Sequence, residues 1–177
     1  MKISDFKTSF AFLVAAAASL LSCDDEPAVQ EQITLTTISG NQVSMNGDWL
    51  SDCALTNTNM ILKETMMFEN ENLRIDIYAY ETLNCDGPPL SSEFVLITFS
   101  TSGTAQVLFN DEEVTVNRID GTATYSDGRS EVFKQVFLVD DAGNDLRLYH
   151  GLFGEDGGAL DADGYPTDII PLSLVKE

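Results

Sequence analysis

The chain has 177 residues, with 29 acidic side chains against nine basic ones and a net charge of −20 at pH 7. A field of that sign repels phosphate backbones and anionic headgroups, which argues against nucleic acid as a partner and against a basic membrane patch, while it attracts cations. One histidine and three cysteines leave little material for histidine-based catalysis or for a zinc site.

The first element in chain order is a leader. Lys2 and Lys7 give a positive start, and Phe10 to Leu21 is an apolar run of twelve residues that no charge interrupts, too short to span a bilayer, which takes about 20. The run ends in Leu20-Leu21-Ser22-Cys23, which resembles the lipobox of bacterial lipoproteins. The resemblance implies that residues 1–22 are a cleaved export signal and that Cys23 becomes the acylated first residue of the mature chain. An ordinary secretory leader with a chance cysteine is the alternative, and a cysteine directly behind Leu-Leu-Ser disfavours it. A multiply acylated cysteine anchors a protein durably without a transmembrane helix, so the membrane is an expected partner through this N-terminal lipid. Asp24-Asp25-Glu26 follows, and residues 23–45 are expected to be an acidic flexible tether. Acidic residues behind a lipidated cysteine resemble the tag that sends lipoproteins to the surface of some Gram-negative cells; a merely solvated tether is the other reading. The expected location is the outer membrane, facing either side.

Residues 46–177 are expected to form one domain. From Ile33 onward, period-two alternation of β-branched and aromatic residues between turn clusters predicts an all-β fold. The clearest strand is Leu73–Tyr80, with Leu73, Ile75, Ile77 and Ala79 on one face and Arg74, Asp76, Tyr78 and Tyr80 on the other. Met60–Phe68 precedes it across Glu69-Asn70-Glu71-Asn72. Further strands are predicted at Phe94–Ser100, Thr104–Phe109, Val114–Ile119, Val132–Val139, Leu146–Tyr149 and Ile169–Val175. They are separated by turn residues such as Ser102-Gly103, Asn110-Asp111 and Asp120-Gly121. About eight strands with hairpin connections suggest a single antiparallel meander barrel, with a β-sandwich as the alternative. Cys53 and Cys85, in a chain exported to an oxidising compartment, are expected to form a disulfide.

Gly47-Asp48-Trp49 looks like the Gly-x-Trp motif of lipocalins and other calycin-type barrels, where the tryptophan plugs one end; this favours the barrel. Trp49-Leu50-Ser51-Asp52-Cys53, then Phe68, then Tyr78-Ala79-Tyr80 and Cys85 is similar to the pattern of the APC-down-regulated (APCDD) domain of secreted Wnt antagonists and of bacterial barrels like it. Cys53 stands one residue earlier than in that pattern, and Glu81 replaces the usual aspartate. Tyr149-His150-Gly151 and Gly164-Tyr165-Pro166-Thr167 resemble the family's C-terminal end. The resemblance implies a barrel with a disulfide and an apolar pocket.

Trp49, Leu73, Ile75, Ile77, Phe99, Val107, Phe109, Phe133 and Phe137 are the residues expected to line such a pocket; the alternative is that they fill a packed core. His150, alone in an apolar-aromatic stretch, is expected to be a core or rim residue rather than a base. In the acidic loop around Glu155-Asp156-Gly157, Asp161-x-Asp163-Gly164 with Asp168 nearby has the carboxylates for Ca²⁺, but Ala159 and Ile170 stand where an EF-hand needs ligands, so a solvated loop is the competing reading. No other cofactor is expected. The leading expectation is a non-enzymatic, lipid-anchored binding module for a small apolar ligand. The alternatives are an accessory lipoprotein docked on an envelope protein complex, and a carboxylate- or Ca²⁺-dependent enzyme.

Overall fold

The computed structural model describes residues 32–55, 59–151 and 158–177. The leader, Cys23, the tether up to residue 31, and Glu155, Asp156 and Gly157 of the acidic loop lie outside the described residues.

The described chain is all-β. In order, the strands are β1 (Thr34–Thr36), β2 (Gln42–Ser44), β3 (Gly47–Ser51), β4 (Ala54–Leu55), β5 (Ile61–Glu69), β6 (Asn72–Tyr80), β7 (Ser91–Phe109), β8 (Glu112–Tyr125), β9 (Ser130–Asp140), β10 (Arg147–His150) and β11 (Leu174–Lys176). Antiparallel pairing runs from β5 through β6, β7, β8, β9, β10 and β11 to β3, and β3 pairs back onto β5. That last ladder closes the sheet, so the architecture is an eight-stranded antiparallel meander barrel with the short β4 added beside β5. Closure leaves these eight strands without the open sheet edges that invite association.

Alternation sets the inward face. Met66 and Phe68 of β5, Leu73 and Ile75 of β6, Ile97 and Phe99 of β7, Ile119 and Ala123 of β8, and Phe133 and Phe137 of β9 form one buried cluster. Trp49 is fully buried in it, and its indole N–H donates to the Met45 carbonyl at 2.9 Å. Phe68 sits at the centre of an edge-to-face group, with centroids 6.4 Å from Trp49, 6.0 Å from Phe99 and 5.9 Å from Phe137, an arrangement worth more than area burial alone.

Two expectations are corrected by the backbone. The segment taken as tether is partly structured: β1 and β2 pair as a hairpin, and Leu35 and Met45 join the core. The hairpin covers the Trp49 end of the barrel. Thr37 bridges Val139 in parallel, and the Asn117 side chain accepts from Thr36 N and donates to Thr36 O, both at 2.8 Å, standing in for a strand's backbone. Ser102-Gly103 and Asp120-Gly121 are not turns but lie inside β7 and β8. At Ser102 the register slips between Thr101 and Gly103, a bulge with an unpaired residue. One extra residue inverts the alternation, so odd-numbered residues of β7 point inward before the bulge and outward after it.

The consequence is a second cluster. Beyond the bulge, Ala105, Val107 and Phe109 pack with Val114 and Val116 of β8 against Val136, Leu138, Tyr149, Tyr165 and Ile169. The far half of the β7–β8 hairpin therefore lies over the outside of β9 and β10. Asn110 and Asp111 make its tip with positive φ of 53° and 64°, the geometry of a tight hairpin turn.

Candidate functional site

The two ends of the barrel differ. At one, Trp49 and the β1–β2 hairpin fill the opening. At the other, where β6 and β8 end and β7 and β9 begin, the inward side chains do not meet. Ile77, Val95 and Tyr125 face inward yet remain only half-buried. They border an apolar recess of about 120 Å³, whose floor and walls also include Ile75 and Phe133 and whose one charged wall residue among the described residues is Glu93.

Of the residues expected to line a pocket, Ile75, Ile77 and Phe133 border this recess. Trp49, Leu73, Phe99 and Phe137 are each 3% exposed or less and belong to the packed core. Phe109 and Val107 are a correction: the bulge turns them outward, and the Phe109 ring lies 4.9 Å from that of Tyr149 in the second cluster. Val95 escapes sequence reading because Phe94–Ser100 is apolar on both faces, which hides its inward side, while Glu93 and Tyr125 lie beyond the strands predicted at Phe94–Ser100 and Val114–Ile119 and fall within the longer β7 and β8.

A polar group crosses the lumen beside the recess. Glu64 of β5 follows the inward alternation of Met66 and Phe68 and is buried, as are His150 of β10, Gln135 of β9 and Ser51 of β3. His150 Nε2 lies 3.1 Å from Glu64 Oε2, and Nδ1 lies 2.8 Å from the Gly151 carbonyl. Gln135 donates to that same carbonyl at 3.2 Å, and Ser51 Oγ accepts from Glu64 N at 2.8 Å. Both ring nitrogens of His150 thus face acceptors, which suits the doubly protonated imidazolium. Burial by itself pulls the imidazole down, but the charge of Glu64, its hydrogen bond and the Gly151 carbonyl outweigh it, and the pKa is raised. Glu64 Oε1 is buried without a hydrogen-bond partner.

At the mouth, the Tyr125 hydroxyl donates to Glu131. Burial and then that carboxylate push the phenol up to about 12. The Arg129 guanidinium lies 5.2 Å from the Tyr125 ring and is paired with Asp127 at 2.6 Å. Cys53 and Cys85 form a disulfide with Cα atoms 6.0 Å apart, tying the turn after β3 to the β6–β7 loop at this same end.

The expected Ca²⁺ ligands are otherwise engaged. Arg118 pairs with both Asp161 and, at 3.1 Å, Asp163. Asp161 Oδ1 accepts from the backbone N–H of Asp163 and of Tyr165, each at 2.9 Å, and Asp168 accepts from Ala159 N at 3.0 Å. The Arg118 guanidinium also stacks over Tyr165 at 4.6 Å. These contacts fold the loop onto the second cluster and occupy both oxygens of Asp161, and among the described residues no three His, Cys, Asp or Glu side chains are grouped to hold a metal.

On the outside, a broad groove of about 550 Å³ runs over β5 to β8, with Met67, Arg74, Leu96, Thr98 and Thr122 in its walls. No family model, no curated protein and no solved structure matches this chain.

Proposed function

We propose that this chain is a non-enzymatic binding module, anchored to the outer membrane through an acylated Cys23, that holds a small apolar group in the open end of its barrel. The observation that carries the reading is the half-buried state of Ile77, Val95 and Tyr125 on a face whose residues nearer the Trp49 end are packed. A volume of about 120 Å³ falls below the 300–1,000 Å³ of ordinary small-molecule pockets. It is close to an engineered cavity of roughly 150 Å³ that binds benzene. The occupant is therefore a single ring or a short branched tail, not a whole lipid. The lipobox supports the anchor, and the N-terminal hairpin lies at the end of the barrel opposite the recess.

Protein prepared without residues 1–22 and without its lipid, extracted and analysed by mass spectrometry, is expected to release or take up a small apolar molecule, and Ile77→Trp to prevent it. A recess that stays empty in the unsubstituted protein contradicts the carrier reading. Intact-mass analysis of native material is expected to find position 23 acylated; a free thiol there refutes the anchor.

A second reading, an accessory lipoprotein docked on an envelope complex, is favoured by the outer groove, where Met67 is 50% and Leu96 45% exposed. Cross-linking from Leu96 that captures one defined envelope protein, with Ile77→Trp leaving capture intact, supports it over the carrier.

A further inference from the structure

We propose that the group held in the recess is an apolar ammonium of about one ring's size, seated between the carboxylates of Glu64 and Glu93. The inference rests on the recess being a binding site and adds the chemistry of what it binds.

In register, Ile77 of β6 stands directly opposite Glu64 of β5 on one side and Glu93 of β7 on the other. Directly paired residues share a face of a sheet, so the inward wall carries a row of carboxylate, isoleucine, carboxylate. Neighbouring strands lie roughly 4.8 Å apart, which puts the two acidic positions about two strand spacings from each other with the apolar Ile77 between them. Glu93 is exposed and borders the recess. Glu64 is buried, and one of its oxygens has no donor. A buried acceptor left unmade costs free energy that a ligand N–H recovers.

The remaining wall suits a cation with an apolar body. Tyr125 and Phe133 offer two aromatic rings to the recess, and ring faces attract ammonium groups. Ile75, Ile77 and Val95 supply the apolar surface, and among the described residues no lysine or arginine borders the recess. Arg129 near the mouth is paired with Asp127, and His150 is committed to Glu64 and Gly151. The His150 imidazolium balances the charge of Glu64, so the uncompensated charge at the recess is that of Glu93, within a chain of net charge −20 whose field concentrates cations. A ligand of the same shape without a donor leaves Glu64 Oε1 unmatched, and a neutral hydroxyl that donates there brings no charge to Glu93.

The test is a matched pair of probes, benzylamine and benzyl alcohol, titrated at pH 7 into the folded domain and followed by calorimetry, with Glu64→Gln, Glu93→Gln and Ile77→Trp as variants. Benzylamine is expected to bind at least tenfold tighter than benzyl alcohol. Glu93→Gln, on the exposed rim where folding is not at stake, and Glu64→Gln, checked by its melting curve, are each expected to cut that ratio severalfold. Ile77→Trp is expected to abolish binding of both probes. Equal affinity for the two probes, or a ratio that neither carboxylate variant changes, overturns the ammonium while leaving the recess as a site. No binding of either probe overturns both.

Discussion

His150 is the residue whose surroundings constrain it most. Its two nitrogens face a carboxylate and a carbonyl, and its pKa is raised. A raised folded-state value means that the stabilisation is fully present below the unfolded value, near 6.5, and is lost as pH rises through the higher folded value. Urea denaturation of the wild type between pH 5.5 and 9 is expected to show that loss, and His150→Leu to lack it. The substitution leaves Glu64 buried without its cation and is expected to cost about 3–5 kcal/mol; adding Glu64→Leu is expected to restore most of it. A double variant no more stable than the single one contradicts the pair. Gly121 is constrained by space: a Cβ there would lie 2.4 Å from the Thr98 carbonyl oxygen and 3.0 Å from Phe99 Cα. Gly121→Ala is expected to cost about 1–3 kcal/mol by overpacking. Gly143→Ala, where a Cβ meets nothing closer than 3.9 Å, is expected to change stability by less than about 0.5 kcal/mol. Equal effects in thermal melts would mean that β7 and β8 do not approach so closely at Gly121.

At the scale of elements, the β1–β2 hairpin is held to the barrel by a small polar clasp. Asp141, after β9, accepts from the hydroxyls of Thr37 and Ser39 and from the Asn41 amide. Ser39 first, then Asn41 and Thr37, hold its carboxyl well below the usual carboxylate range. A depressed carboxyl stabilises above its unfolded value, near 3.8, and ceases to as pH falls through the lower folded value. Hydrogen exchange at Leu35 and Ile38 is expected to quicken in Asp141→Asn at neutral pH, and unchanged protection removes the clasp. The Cys53–Cys85 bridge spans a separation of 32 residues, which the chain-entropy relation values at about 3–4 kcal/mol. Replacing both cysteines with serine is expected to lower unfolding free energy by that amount in denaturant titration, and no loss would show that the closed loop is already ordered in the unfolded chain. Legibility differs between elements for physical reasons. Leu73–Tyr80 is evident because one face is core and the other wet, whereas β1 and β2 have three residues each, too few for a period to register. The β7 bulge has no signal beyond Ser102-Gly103, which equally suits a turn, so Phe109 reads as inward from sequence and packs outward in the fold. The Glu64–His150 pair joins residues 86 apart, and no local pattern announces such a contact.

For the molecule as a whole, the barrel was readable because eight strands must each bury one face, and alternation records that need wherever a strand is long enough. What alternation does not record is how completely the lumen fills, because that depends on which side chains meet across it. Four aromatic rings meet at the closed end, while at the other the inward Ile77, Val95 and Tyr125 face a space of about 120 Å³. The most direct test of that asymmetry is methyl NMR of the isoleucine, leucine, valine and methionine side chains during titration with a single-ring apolar ligand. Shifts confined to Ile75, Ile77, Val95 and Ile97, with Val139 near the closed end unmoved, are the predicted result. No shift in those four, or shifts appearing only at Met67 and Leu96 on the outer groove, would contradict it.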